Sequence, residues 1–161
     1  MMKREIRNVF AKEDYYCFAC SPHNPIGLQL KFYENGDYVE ATWNPKQFYE
    51  GYPGVIHGGI QATLLDEIAA WVVYIKAKTS GVTSRISMKY RKPVDSKQDK
   101  ITVKAKLRET KKNICYIEAQ LINEMDEVCA EAEVIYFTFP VQKSIEMGCY
   151  PENYNSFFTA D

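Results

Sequence analysis

GVIHGGIQATLLDEIAAW, residues 54–71, decides the reading of this chain. The segment continues through Val72, Val73, Tyr74 and Ile75, so apolar side chains fall on nearly every face of a helix, and such a helix is a buried one. Within it stand two adjacent carboxylates, Asp66 and Glu67. A buried ionised carboxylate costs several kcal/mol unless it is paired or has chemistry to perform, so at least one of the two requires a function. Upstream, His57, Gly58 and Gly59 mark the start of the helix, and the two glycines leave room for backbone N–H groups to approach a ligand.

Around this helix the composition describes one domain. The chain has 161 residues, 46% of them hydrophobic, and a formal net charge of −1, enough apolar material for one core and no electrostatic footprint for nucleic acid or an anionic membrane. The first residues, MMKREIRNVFAKEDYY, hold no apolar core of a signal peptide. The run Ile68 to Ile75 stops at Lys76, too short to span a bilayer. A cytoplasmic protein is expected, with its five cysteines as free thiols in a reducing compartment.

The rest of the chain alternates. Leu28, Leu30 and Phe32 alternate with polar neighbours, Asn35-Gly36 signals a hairpin, and Tyr38 to Trp43 returns. After the helix, expected to end near Gly81 behind Lys76 and Lys78, four strands are predicted at 82–92, 100–109, 114–122 and 128–139. Ile101, Val103, Ala105 and Leu107 alternate with polar residues, the pattern of an antiparallel sheet with one wet face. One apolar helix and one such sheet make an α+β domain in which the curved sheet wraps the helix. We place that domain at 17–140, with an amino-terminal arm at 1–16 and a carboxy-terminal tail at 141–161.

This order is that of the hotdog fold, and the residues carry a resemblance. His57-Gly58-Gly59 with Asp66 nine residues after the His resembles the helix-opening motif of hotdog acyl-CoA thioesterases of the phenylacetate-pathway type. Cys17, Cys20, Asn24, Pro25, Gly27, Leu28, Leu30 and Phe32 resemble the amino-terminal segment of one subgroup. Thr83, seven residues before Tyr90, resembles the hydroxyl-bearing position on the strand after the helix. The resemblance implies hydrolysis of an acyl-CoA thioester, with Asp66 as the working carboxylate and a site shared between subunits of a dimer or dimer of dimers. The chain departs from the family at Gly51, where many members carry Asn or Gln, and in having Glu67 beside Asp66.

Spacing supports the shared site independently. Nine helical residues separate His57 from Asp66 by roughly 13 Å along the axis, too far for both to touch one carbonyl, so a two-fold assembly must bring them together. The Gly58 N–H suits an oxyanion. Asp66 suits a base or nucleophile, Thr83 the orientation of water, and Gly59 and Gln61 the lining of the substrate pocket. Asp66 and Glu67 lie about 100° apart on the helix, so one faces the pocket and the other solvent or an Arg; position favours Asp66, with Glu67 as the alternative.

Bland readings stand beside these. His57 is equally a helix cap, and Thr83 an ordinary strand threonine. Lys89 and Arg91, with Arg85 and Lys92, suit the phosphates of coenzyme A or simply form a solvated basic face. Trp71, Tyr74 and Phe48 are candidates to contact the acyl group. Cys17 and Cys20 with His23 suggest a metal, but too few ligands accompany them for zinc, so neither metal nor cofactor is expected and the cysteines read as packing residues. GxSxG, a phosphate loop and HExxH are missing from the sequence. A non-catalytic acyl-CoA-binding domain and a hydroxyacyl thioester dehydratase remain the alternative functions.

Overall fold

The computed structural model describes residues 3–158; residues 1 and 2 of the expected arm and 159–161 of the expected tail lie outside the described residues. Among the described residues seven strands form one antiparallel sheet: β1 (Arg4–Ile6), β2 (Phe32–Asn35), β3 (Tyr38–Trp43), β4 (Gly81–Tyr90), β5 (Ile101–Lys111), β6 (Ile114–Ile122) and β7 (Val128–Thr138). Their spatial order is β1-β2-β3-β5-β6-β7-β4. The long helix α1 (Gly58–Val72) lies between β3 and β4 in sequence and packs on the inner face of the sheet against β3 to β7. This is the wrapped-helix architecture expected from the apolar pattern.

Period two sets the faces. On β5, Ile101, Val103 and Ala105 are buried while Thr102, Lys104 and Lys106 face outward; β6 and β7 repeat the alternation in register, with Ala105 opposite Ala119 and Ala119 opposite Ala132. Small alanines at these crossings let the sheet close around Leu64, Leu65, Ile68 and Val72 of α1, all inaccessible to solvent. Trp71 stacks on Phe32 with ring centroids 4.4 Å apart. It is therefore a core residue, and the expectation that it contacts the acyl group is corrected.

Two local readings change, and one holds. The Leu28–Leu30 stretch lies outside the ladder: Gln29 sits at φ 54°, and Leu28 and Leu30 donate their N–H groups to the Phe18 and Ala19 carbonyls at 2.8 and 2.9 Å. The hairpin turn falls where Asn35-Gly36 signals it, with Asn35 paired to Tyr38, Gly36 at φ 57° and Asp37 in the loop, and the return strand beginning at Tyr38 as expected. The helix end is different too, because α1 passes into a wide π-type turn (Val73–Ala77) capped by left-handed Lys78. Gly81 instead opens β4, where a Cβ would lie 2.5 Å from the Phe137 carbonyl oxygen.

The flanks of the expected 17–140 domain join its packing. Arg4 to Ile6 pair with Phe32 to Glu34. After the short helix α2 (Val141–Glu146), Tyr150 and Phe157 are buried against the core, Phe157 completely. Its ring meets those of Phe10, Trp71 and Tyr150 at 6.3, 6.2 and 5.8 Å.

Candidate active site

The start of α1 is organised by its cap. His57 takes the N-cap position with extended backbone, and its Nδ1 accepts the Gly59 N–H at 2.8 Å. With Nδ1 accepting, the ring proton of the neutral imidazole stands on Nε2, which becomes a donor directed away from the cap. The glycines on either side make room: a Cβ on Gly59 would sit 3.0 Å from His57 Nδ1, and one on Gly51 3.3 Å from its Cδ2. Since Gly59 is spent on the cap, the N–H of Gly58 is the one at the helix entrance without a partner among the described residues. It carries the positive end of the helix dipole.

An open groove of about 770 Å³ lies at this entrance, lined by His57, Gly58, Gln61, Tyr90, Arg91 and Pro93 among others. Gln61 is buried; its Nε2 donates to the Ile56 carbonyl at 3.0 Å, while its Oε1 has no partner among the described residues. Tyr90 donates its hydroxyl to the Gly58 carbonyl at 2.8 Å. Arg91 pairs with Glu131 at 2.5 Å on the rim. Lys89 does not reach this groove: it points to the outer face of the sheet, into a separate groove of about 520 Å³ with Ser87, Lys104 and Lys106. Period two puts it there, one residue out of phase with Tyr90. Phe48 is 83% exposed and does not line the entrance groove.

Two turns along the helix a second group forms. Thr83 Oγ1 donates to Asp66 Oδ1 at 2.8 Å, and the Tyr136 hydroxyl approaches the same oxygen at 3.5 Å and the Asp66 carbonyl at 3.3 Å. Burial, and next the charge of Asp66, push the Tyr136 phenol far above its ordinary range, so it stays a neutral donor. Asp66 Oδ2 is left open beside the exposed Thr83. A β-bulge between Thr83 and Arg85 turns the strand locally and keeps Thr83 toward the helix. Thus the chain gathers His57, Gly58, Gln61, Tyr90 and Arg91 in one place, Asp66, Thr83 and Tyr136 in another, and does not bring the two groups together.

Glu67 faces elsewhere. Its Oε1 accepts the Trp71 Nε1–H at 3.1 Å, and the Cys17 thiol lies 3.7 and 3.8 Å from its two oxygens. Burial first, then the neighbouring Cys17, raise its carboxyl to about 7. The reading of Cys17 and Cys20 as packing residues around a turn is incomplete, because Glu67, 50 residues from Cys17, joins them.

A family model described as the thioesterase superfamily matches residues 53–135. Among curated proteins none matches. Solved structures do. The thioesterase superfamily protein RHA08564 is 23% identical with a TM-score of 0.68, over 74% of this chain and 58% of that one, so this chain spans under two thirds of its length. The protein smu.793 from Streptococcus mutans UA159, bound to acetyl CoA, is 20% identical with a TM-score of 0.64, over 70% and 90%. The E. coli PaaI protein from the phenylacetic acid degradation operon is 16% identical with a TM-score of 0.63, over 71% and 82%. At such identities the likeness establishes the hotdog fold.

Proposed function

This chain belongs to the thioesterase superfamily, and from that premise we propose that it hydrolyses an acyl-CoA thioester to the free acid and coenzyme A. The observation that carries the proposal is the hydrogen bond between Thr83 and Asp66, which leaves one carboxylate oxygen open. That oxygen takes a proton from water as the water oxygen attacks the acyl carbon. The thioester oxygen becomes an oxyanion, held by the Gly58 N–H and the helix dipole. On collapse the C–S bond breaks, and the coenzyme A thiolate recovers the proton from Asp66. His57 Nε2 donates to the substrate, Gln61 Oε1 accepts one of its N–H groups, and Arg91 on the rim meets its phosphates. Acetyl CoA in the smu.793 structure supports this substrate class.

The oxyanion donor and the base come from different copies in this proposal. Strand β4 is an uncovered sheet edge of ten residues, and Val82, Ile86 and Tyr90 on it are 53%, 36% and 54% exposed. A long apolar edge of this kind invites pairing. Antiparallel self-pairing about a two-fold axis through Ser87, with the extra residue of the bulge between Thr83 and Arg85 passed over, sets Thr83 of one copy opposite Tyr90 of the other. Through the Thr83–Asp66 and Tyr90–Gly58 hydrogen bonds, each base then meets the helix entrance of the other copy.

Release of free thiol from a panel of acyl-CoAs tests the reaction. Hydrolysis lost in Asp66→Asn and restored by mixing that variant with His57→Ala subunits supports the shared site, given that His57→Ala alone is inactive. Saturable acyl-CoA binding without thiol release would leave a binding domain instead. Near-normal turnover in Asp66→Asn with loss in Glu67→Gln would transfer the carboxylate role to Glu67.

A further inference from the structure

We propose that Cys17, Cys20 and Glu67 form a metal site for zinc or a zinc-like divalent ion, which fastens the amino-terminal segment to α1. The Cys17 and Cys20 sulfurs and a Glu67 carboxylate oxygen all lie within 4.8 Å of one another. Around a tetrahedral zinc with ordinary Zn–S and Zn–O bonds, ligand atoms stand about 3.6 to 3.8 Å apart. The Cys17 sulfur is already 3.7 Å from Glu67 Oε1. Closing the remainder takes only small side-chain rotations, and water completes the fourth position.

The surroundings suit anionic ligands. The turn that carries Cys17 and Cys20 is closed by the Ser21 N–H on the Cys17 carbonyl at 3.1 Å. Asn8 Nδ2, which can only donate, approaches the Cys20 sulfur at 3.5 Å, and the Tyr15 hydroxyl lies 3.3 Å from it. Trp71 Nε1 donates to Glu67. Donors thus face two of the three candidate ligands, Cys20 and Glu67, the arrangement that orients thiolates and carboxylates toward a metal and raises its affinity. Without a cation, two thiols and a carboxylic acid are crowded together at the core boundary, where at most part of their acidity can be expressed. With one, the divalent ion offsets two of the three negative charges of two thiolates and a carboxylate, and thiolate ligands select a soft ion over magnesium or calcium.

The site is separate from the chemistry proposed above. None of its three residues lines the entrance groove, and Glu67 turns away from the Thr83–Asp66 pair. Its role is structural: it ties Cys17 and Cys20 to the helix one residue from Asp66. This also accounts for the doubled carboxylate, one for water and one for metal.

Cobalt(II) titration of the chelator-treated protein under reducing conditions tests the assignment without reference to activity. One cobalt per chain is expected, with thiolate-to-cobalt charge transfer in the near ultraviolet and the intense visible bands of a tetrahedral ion. Zinc should displace it, and zinc should raise the melting temperature. Glu67→Gln and Cys20→Ser should each weaken binding by about a hundredfold or more, since even outer partners of metal ligands are worth about ten- to a hundredfold. Three results would overturn the proposal. They are failure of the wild-type protein to bind cobalt or zinc in micromolar solution, binding undiminished in Glu67→Gln, and a Cys17–Cys20 disulfide as the stable state in mildly reducing buffer. The first needs no variant to fold.

Discussion

Asp66 and Glu67 are bonded neighbours with unrelated surroundings, since 100° of helix rotation is enough to turn one toward Thr83 on β4 and the other toward Cys17 and Trp71. Asp66→Asn should lower kcat by about 10²- to 10⁴-fold, the usual worth of a positioned general base, with KM little changed. Thr83→Ala and Tyr136→Phe should each lower kcat by roughly tenfold, because each removes a hydrogen bond to the base worth about 1.5 kcal/mol; steady-state kinetics on one acyl-CoA checks all three. Of these residues, Asp66 and Thr83 stand out in sequence because their distances from His57 and Tyr90 follow a motif. Tyr136 does not, since a tyrosine at the inward phase of an apolar strand reads as core until its hydroxyl is seen at Asp66. The partnership of Glu67 with the cysteines is hidden for another reason: spacing along the chain says nothing about which loop covers which helix turn.

At the scale of elements, the long periodic segments were legible and the short ones were not. The alternation of β5 to β7 and the apolar run of α1 carry many residues each, so burial enforces them. Strand β1 has only three residues and takes its conformation from β2. Leu28 and Leu30 alternate as a strand does, yet their N–H groups go to Phe18 and Ala19. The junction of these elements also predicts a pH response. Glu34 on β2 meets Lys76 beyond α1 at 2.6 Å and Arg4 of β1 at 2.5 Å. Burial raises its carboxyl, but the two cations outweigh that and hold it below 4.5. A depressed carboxylate stabilises the fold above its ordinary value and loses that contribution as pH falls through the folded one. Glu34→Gln should therefore cost about 1 to 2 kcal/mol near neutrality, with the difference shrinking on acidification below 4.5; denaturant titrations at several pH values measure it. Gly81→Ala should cost about 1 to 3 kcal/mol through its collision with the Phe137 carbonyl, read as a lower midpoint in the same titrations.

For the molecule as a whole, the core extends beyond the central block. Phe157 is fully enclosed by Phe10, Trp71 and Tyr150, so Phe157→Ala should destabilise by about 3 to 5 kcal/mol, measured as a fall in the denaturation midpoint. A polar tail with scattered aromatics gave no periodic signal for that plug. At the opposite edge, Ile86→Lys on β4 should replace the proposed dimer by monomers in light scattering and abolish turnover while leaving the circular dichroism of the sheet intact. The open β4 edge then has a kinetic consequence. In the proposed assembly every site is built from two copies, so the amount of working catalyst follows the square of chain concentration wherever dimers are scarce. Activity per chain should fall in proportion on dilution, so the abundance of the protein would itself set how fast each molecule works.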